Sequence, residues 1–391
     1  MEHNSPPQSF WPQATAEPIS FAKAVSIVAA QAEVILSGSL GEPQKCELPD
    51  ALGCVLAVAV AADRDQPPFP RVTRDGFALR AQDLASGTPL RVVGQLRAGE
   101  SWLTTRPALR AGQAIEIMTG AALPPGADAV LMVEHAEEIA EDAGDRTIIP
   151  RAGRTLRSGE NVVPRGSEAR QEDVLLQAGM RLGPEEIALA AACGLGSVLV
   201  RPAPRVAILA TGDELIEPAA SKADVIIAPH QIYDSNSHAL AALVRQAHAV
   251  PLRLRAARDR RDDLEASILD ALKAAPLLLL SGGVSMGRYD LVEEVLASLG
   301  AEFFFTGVKM QPGKPVVFGR VPAGDGLPPR FFFGLPGNPV STMVTFRVFV
   351  QPLLAALAGE RNWQPHIALA ILSRDVECKP ELTRFLPARL D

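Results

Sequence analysis

With 391 residues, 47% hydrophobic and 21% charged side chains and a net charge of −7, the chain reads as a globular protein of about two to four domains, and its acidic balance argues against a broad nucleic-acid footprint. No apolar run approaches the ~20 residues of a membrane span, and the opening MEHNSPPQSFWPQ lacks the basic-then-apolar order of a secretory signal. Cys46, Cys54, Cys193 and Cys378 are scattered without a Cys-x-x-Cys pair and the histidines without ligand spacing, so neither a disulfide framework nor structural zinc is expected, and a reducing cytoplasm suits the chain best.

Residues 1–18, rich in Pro, Ser and Gln, are expected to be disordered. Ser20 is placed to cap a helix running to Leu36, with Phe21, Val25, Val28 and Ile35 on its apolar face. Residues 64–150 change character. Short β-rich runs (LRVVGQL, AIEIMTG, AVLMVEH) stand between Pro/Gly turns, and ADAGDRTII closes the region as a hairpin. From Gly183 strands and helices alternate. RVAILAT (205–211), VPLRLRAA (250–257) and Leu277–Leu280 are strands, His238–Ala247, Asp262–Ala274 and Leu291–Leu299 helices. FFFTGV, KPVVFGR and RFFFGL follow as strands, and Pro339–Leu357 as a long helix capped by Asn338. This alternation predicts a doubly wound parallel sheet, with ligands at the carboxyl ends of its strands. Residues 363–391 open another β domain that the chain does not complete.

The run LLLLSGGVSMGRYD, Leu277–Asp290, carries the most chemistry. An apolar strand ends in a Ser-Gly-Gly loop before a helix, a geometry in which backbone amides and the helix N-terminus receive an anion. Asp290 stands where a carboxylate either caps that helix or holds a cation, so phosphate plus magnesium is the first expectation. The run lacks the Gly-Lys-Ser/Thr ending of a Walker A loop, and GLGSV (194–198) lacks the third glycine of a dinucleotide fingerprint. Other strand-end turns offer further groups. Asp213 in TGDEL and Asp234 in YDSN are ordinary turn residues singly, but several carboxylates at strand ends suit a cation. Lys314 in PGKP, and less so Lys309, can offset anionic charge, and GLPGNPVS (334–341) is a rigid corner before a helix. Glu186 on the helix GPEEIALAAACG reads as a first-turn glutamate favoured by the helix dipole. Thr119 in IMTGAALPPGADAV offers a hydroxyl, and Asp75 in RDGFAL is turn-like. No Ser/His/Asp or Cys/His constellation stands out, which disfavours nucleophilic acyl transfer.

Taken in order, DGFA, IMTGAALPPGADAV, GENVVPRGSE, TGDEL, YDSN, SGGVSMGRYD, PGKP and GLPGNPVS resemble the molybdopterin molybdenumtransferase family, which includes MoeA and the E domain of gephyrin. The resemblance runs from about Phe21 to Leu357. It implies a multidomain α/β protein with a three-layer molybdopterin-binding domain at 183–360. A disordered segment (1–18), an irregular domain (19–63 with 151–182), a β insertion (64–150) and the start of a C-terminal β domain (361–391) make up the rest. It also implies a cytoplasmic homodimer that takes adenylylated molybdopterin and molybdate, inserts molybdenum into the dithiolene with magnesium and releases AMP. The expected partners are an upstream adenylyltransferase and acceptor molybdoenzymes, with neither membrane nor nucleic acid.

By motif match, Asp290, Asp234, Glu186 and Lys314 become the expected catalytic residues, and Asp290 and Asp234 the metal ligands. Ser281, Gly282, Gly283, Ser285, Gly313, Pro336, Pro339, Thr119, Asp75 and Glu168 become the expected binding residues, the two prolines near the molybdate end. Departures are Arg74 and Phe77 where the family reads Met and Tyr around Asp-Gly, Glu168 for Asp, and Gln311 where a basic residue often precedes PGKP. Two alternatives stay open: a molybdopterin adenylyltransferase, whose related family shares the SGG loop and α/β core, and a non-catalytic carrier or scaffold for the cofactor, which the departures at Arg74 and Glu168 motivate.

Overall fold

The structure, a computed structural model, describes residues 17–84, 87–102, 107–140, 146–218, 227–282, 291–323, 328–365, 367–376 and 381–389. These fall into two compact units. One comprises Ala59–Gln177 with Ala188–Gly196, and the other holds the remainder.

The second unit is built on a six-stranded sheet in the order Val250–Arg253, Arg205–Ala210, Leu277–Ser281, Arg330–Leu335, Val317–Val321, Glu302–Phe305. The first four strands are parallel, as the alternation of strand and helix demands. Val317–Val321 runs antiparallel to both its neighbours, Arg330–Leu335 and Glu302–Phe305, a departure from the all-parallel expectation. The links among 302–335 carry no crossover helix among the described residues, and a parallel return needs one of a dozen or more residues.

Side chains alternate across this sheet and make it a three-layer structure. Val206, Ile208, Leu277, Leu279, Phe331 and Phe333 bury one face beneath Leu240, Val244, Phe346, Phe349 and Val28. Ala207, Leu209, Leu278, Leu280 and Phe332 bury the other beneath Leu264, Ile268, Val292 and Val295. Both faces are covered, so the central strands read as continuous apolar runs rather than as alternation. Each fully buried Leu or Phe contributes roughly 1.5–3 kcal/mol of transfer energy.

The helix Phe21–Ser37 starts where the sequence predicts, with Lys23 N–H donating to Ser20 Oγ at 3.2 Å, and buries Ala24, Val28 and Ala32. The run from Pro339 to Leu357 is helical throughout, but a π-turn at Phe346–Val350 separates Pro339–Thr345 from Gln351–Leu357. Pro352 supplies no N–H to the turn before it, which disrupts regular α bonding there. Contrary to the first expectation, this one helix is long and apolar enough by composition to cross a membrane. Phe346, Phe349, Leu353 and Leu354 are nevertheless packed in the sheet's core, which accounts for their apolar character. Near the chain's end, Thr383–Arg384 joins Val308–Gln311 and Ile19–Ser20 in a small parallel sheet.

The first unit carries a six-stranded sheet in the order Ala129–Met132, Gly76–Leu79, Gln113–Ile117, Leu90–Leu96, Arg146–Pro150, Ala136–Ala140. The β-rich runs are therefore strands. The expected closing hairpin forms between Ala136–Ala140 and Arg146–Pro150, its turn lying outside the described residues. Phe77, Leu79, Leu131 and Ile148 pack on one side, and Ala78, Ile115, Ile117 and Val130 on the other. Gly76 of the DGF motif sits at the tightest approach: a Cβ there would lie 2.0 Å from the Leu131 carbonyl oxygen.

Candidate active site at the strand ends

In the α/β unit, the turns that follow the parallel strands meet. Thr211 N–H donates to the Ser281 carbonyl at 2.9 Å, joining the ends of two neighbouring strands. Gly282 follows at φ +89, and a Cβ would lie 2.4 Å from the Thr211 carbonyl oxygen, so both conformation and space require glycine. The Asn236 amide then spans two loops. Its Nδ2 donates to Ser281 Oγ at 3.0 Å and to the Gly337 carbonyl at 2.8 Å. Thus the TGDEL, YDSN, SGG and GLPGN turns share one junction. Two buried polar atoms there, Thr211 Oγ1 and Asn236 Oδ1, have no hydrogen-bond partner among the described residues.

Asp234 lies beside this junction and is only 4% exposed. Ser237 holds both its oxygens: the backbone N–H donates to Oδ1 at 3.0 Å and the hydroxyl to Oδ2. Arg253, at the end of the edge strand, donates from Nε to Ser237 Oγ at 2.9 Å. With that oxygen accepting from arginine, the serine proton is directed to Asp234. Arg253 also grips both oxygens of Glu217, at 2.7 and 2.6 Å, and holds that carboxyl below its usual range. Asp213 accepts the Asp259 N–H at 3.3 Å. Burial pushes the Asp259 carboxyl up, and negative Asp213 and Glu214 add to the rise.

The remaining predicted residues of this unit have defined places. Pro339 occupies the first turn of its helix, and Asn338 Oδ1 accepts from Val340 N–H at 3.0 Å and Ser341 N–H at 3.3 Å. The Pro336 carbonyl accepts from Thr342 Oγ1, which pins the loop to the same helix. Gly313 packs on that helix too, since a Cβ there would lie 2.6 Å from Thr345 Cγ2. Lys314 follows it with its side chain exposed and its carbonyl accepting from Val308 N–H. Glu186 accepts the Gly183 N–H at 2.8 Å and so caps its own helix.

In the β unit, Asp75 and Thr119 come together as a pair. Asp75 Oδ1 accepts from the Thr119 N–H at 2.6 Å and hydroxyl at 2.7 Å, and these bonds hold the carboxyl below its usual range. Glu168 pairs with Arg71 at 2.7 Å on an open surface. The contact joins side chains 97 positions apart.

Gly283, Ser285 and Asp290 lie outside the described residues. Among those described, no three His, Cys, Asp or Glu side chains converge as a metal cluster. A magnesium ion held by one or two carboxylates with substrate phosphate and water needs no such cluster. Asp234 suits that hard-oxygen donor set, although both its oxygens already accept from Ser237. The sequence reading missed Thr211, Asn236, Ser237 and Arg253. The polar run after Asp234 signalled the middle two, but Arg253 sits in a strand where nothing local distinguishes it from a solvated arginine.

A covered three-layer sheet whose strand-end turns share one polar junction defines an α/β protein of the doubly wound class, in which ligands bind at the carboxyl edge of the sheet. Comparison with known proteins makes this specific. Residues 19–194 match the MoeA N-terminal region (domain I and II), and residues 207–356 the probable molybdopterin binding domain. The chain is 37% identical over 338 residues to the molybdopterin molybdenumtransferase of Nostoc sp., covering 83% of this chain and 73% of that one. It is 35% identical over 355 residues to that of Bacillus subtilis, covering 89% and 78%. A crystal structure of the molybdopterin biosynthesis MoeA protein from Pyrococcus horikoshii superposes with a TM-score of 0.67 at 31% identity, covering 88% of this chain and 81% of that one. The chain belongs to the molybdopterin molybdenumtransferase family.

Proposed function

We propose that this chain is a molybdenumtransferase of molybdenum cofactor biosynthesis. It takes adenylylated molybdopterin and molybdate, places molybdenum on the dithiolene and releases AMP. The observation that carries the reading is the shared junction of Thr211, Asn236, Ser281 and Gly337 at the carboxyl edge of the sheet. The names of the relatives supply the reaction class.

Cleaving a phosphoanhydride requires that negative charge be offset as the leaving phosphate departs. In this reading the backbone at Ser281 and Gly282, continuing into Gly283 and Ser285, receives phosphate, and Lys314 beside Gly313 offsets its charge. Asp234 and Asp290 hold magnesium, whose chemistry is to neutralise the phosphate oxygens. Ser237 and Arg253 keep the Asp234 carboxylate in one orientation. Pro336 and Pro339 stiffen the wall at the molybdate end, and Glu186 is the acidic residue of the cleft helix. Asp75, Thr119 and Glu168 are the binding residues that the motif match assigns within the β unit. The domain division over residues 19–360, a cytoplasmic location, a homodimer, and exchange with an adenylyltransferase and acceptor enzymes belong to the same proposal.

The test is a turnover assay with adenylylated molybdopterin, molybdate and magnesium, reading AMP release. Stoichiometric AMP with molybdenum-loaded cofactor supports the proposal. Adenylylation of free molybdopterin by ATP would point to the adenylyltransferase instead, and tight binding without AMP release to a carrier.

A further inference from the structure

The α/β unit also has a cavity of about 370 Å³ that the proposed reaction does not use. It is lined by Ala203, just before the strand Arg205–Ala210, and by Ala249 and Val250 at the start of the next. It therefore opens at the amino edge of the sheet, one strand length, about 20 Å, from the Thr211–Ser281 junction. Its walls include two thiols, Cys46 and Cys54, together with Lys45, Arg181, Arg201 and His248.

Local folding brings the two cysteines to the same wall. Cys46 sits in the strand Gln44–Glu47, opposite Val198. The chain then reverses through the 3-10 turn Leu48–Asp50, and the Cys54 Sγ points back to the Asp50 carbonyl at 3.9 Å. Both thiols face the one cavity, and Cys46 lies near enough to Cys54 to help push its thiol up. The His248 ring lies directly against the next residue back, since a Cβ on Gly53 would fall 2.0 Å from its Cε1 and Nδ1. Both backbones that permit this are left-handed, Gly53 at φ +77 and His248 at φ +57. At His248 this is the ordinary end of a helix, with Ala249 N–H donating to the Val244 carbonyl at 3.1 Å.

We propose that Cys46 and Cys54 are a redox-active dithiol, oxidised in this cavity to an intramolecular disulfide by an anionic low-molecular-weight disulfide. One cysteine, as thiolate, attacks a sulfur of the small disulfide. A mixed disulfide forms and one small thiolate leaves. The second cysteine attacks the mixed disulfide, the internal S–S bond forms and the second small thiolate leaves. Two electrons pass from the protein to the small disulfide, and the two thiol protons end on the two released thiols.

The surroundings suit each step. Lys45, Arg181 and Arg201 favour a carboxylate-bearing oxidant, Arg181 being partly neutralised by Glu360 at 2.7 Å. Burial, then the Arg181 charge, hold the His248 imidazole in its neutral form to lower pH, so it adds no positive charge to the cavity wall near neutral pH. Burial, then the neighbouring Cys46, push the Cys54 thiol up, which keeps it protonated until its partner has reacted.

The test treats the reduced full-length chain, carrying Cys378→Ser, with oxidised glutathione, followed by intact-mass measurement and non-reducing peptide mapping. The expected result is loss of two hydrogens and a linked pair of peptides bearing Cys46 and Cys54. Cys46→Ser and Cys54→Ser each stop at the mixed disulfide and gain the mass of one glutathione, with circular dichroism confirming that each is folded. A parent that loses no hydrogens, or a serine variant that still loses two, would overturn the dithiol. Arg201→Met should slow oxidation by glutathione disulfide several-fold and leave oxidation by uncharged hydroxyethyl disulfide unchanged. Equal rates with both reagents would overturn the anionic oxidant.

Discussion

Replacing Asn236 by alanine separates the role of the strand-end junction in binding from its role in stability. The change deletes hydrogen bonds to Ser281 Oγ and to the Gly337 carbonyl, a loss of about 1 kcal/mol each. It also deletes Oδ1, a buried acceptor with no partner among the described residues, and removing such a group returns about 1–3 kcal/mol. The two effects oppose each other, so unfolding free energy should stay within about 1 kcal/mol of the parent. Turnover should not survive so well. Asn236 is the tie between the Ser281 turn and the Gly337 loop, and a displacement near 1 Å at a reacting centre costs on the order of 100-fold. Asn236→Asp is the companion variant. It keeps the size but cannot donate to the Gly337 carbonyl and brings a charge into a poorly solvated spot, so it should lose both turnover and about 2 kcal/mol of stability. Urea unfolding and AMP release, measured on the same preparations, read the two effects. Parent-like turnover in Asn236→Ala would show that the junction does not position the ligand, and a stability loss above about 3 kcal/mol would refute the offset worked out here.

Gly282→Ala should destabilise by about 2–4 kcal/mol, combining a left-handed backbone with a contact against a carbonyl that cannot yield; an unchanged urea midpoint would contradict the geometry. Arg181→Met strips the partner from Glu360, whose side chain is 17% exposed, and should cost about 2 kcal/mol by denaturant titration, with Glu360→Gln in the same chain recovering much of it. Thr119 holds the Asp75 carboxyl below its ordinary value of 3.8. A group depressed on folding stabilises above its unfolded pKa, and that contribution disappears as pH falls through the folded one. Unfolding midpoints followed from about pH 5 to pH 2 should therefore fall less steeply for Asp75→Asn than for the parent, and identical slopes would discard the pairing.

Much of the architecture could be read directly from the chain. Leu277–Leu280 is apolar without alternation because both its faces are covered. Ser20 and Asn338 announced the helices they cap, because a cap is a contact within three residues. The glycine of the SGG turn was legible for a similar reason, since a left-handed backbone is a local demand. Glu186 shows the limit of such reading: its capping bond to Gly183 is equally local, and the chain alone does not distinguish it from a residue that meets a ligand.

The tertiary structure decided what depends on separated segments meeting. Asn236 touches Gly337 across 101 positions and Ser281 across 45, and no pattern of neighbours encodes those distances. The two antiparallel pairings of Val317–Val321 arose because the links on either side of it carry no crossover helix among the described residues, which mere succession of strands does not reveal. Cys46 and Cys54 looked scattered because cysteine spacing is counted along the chain, whereas a 3-10 turn set them on one cavity wall. Periodicity, caps and turns are written in contacts a few residues long, so the sequence determined the elements and their order. The orientation of Asp234 under Ser237 and Arg253, and the joining of the strand-end turns, rest on hydrogen bonds that exist only once the sheet has assembled.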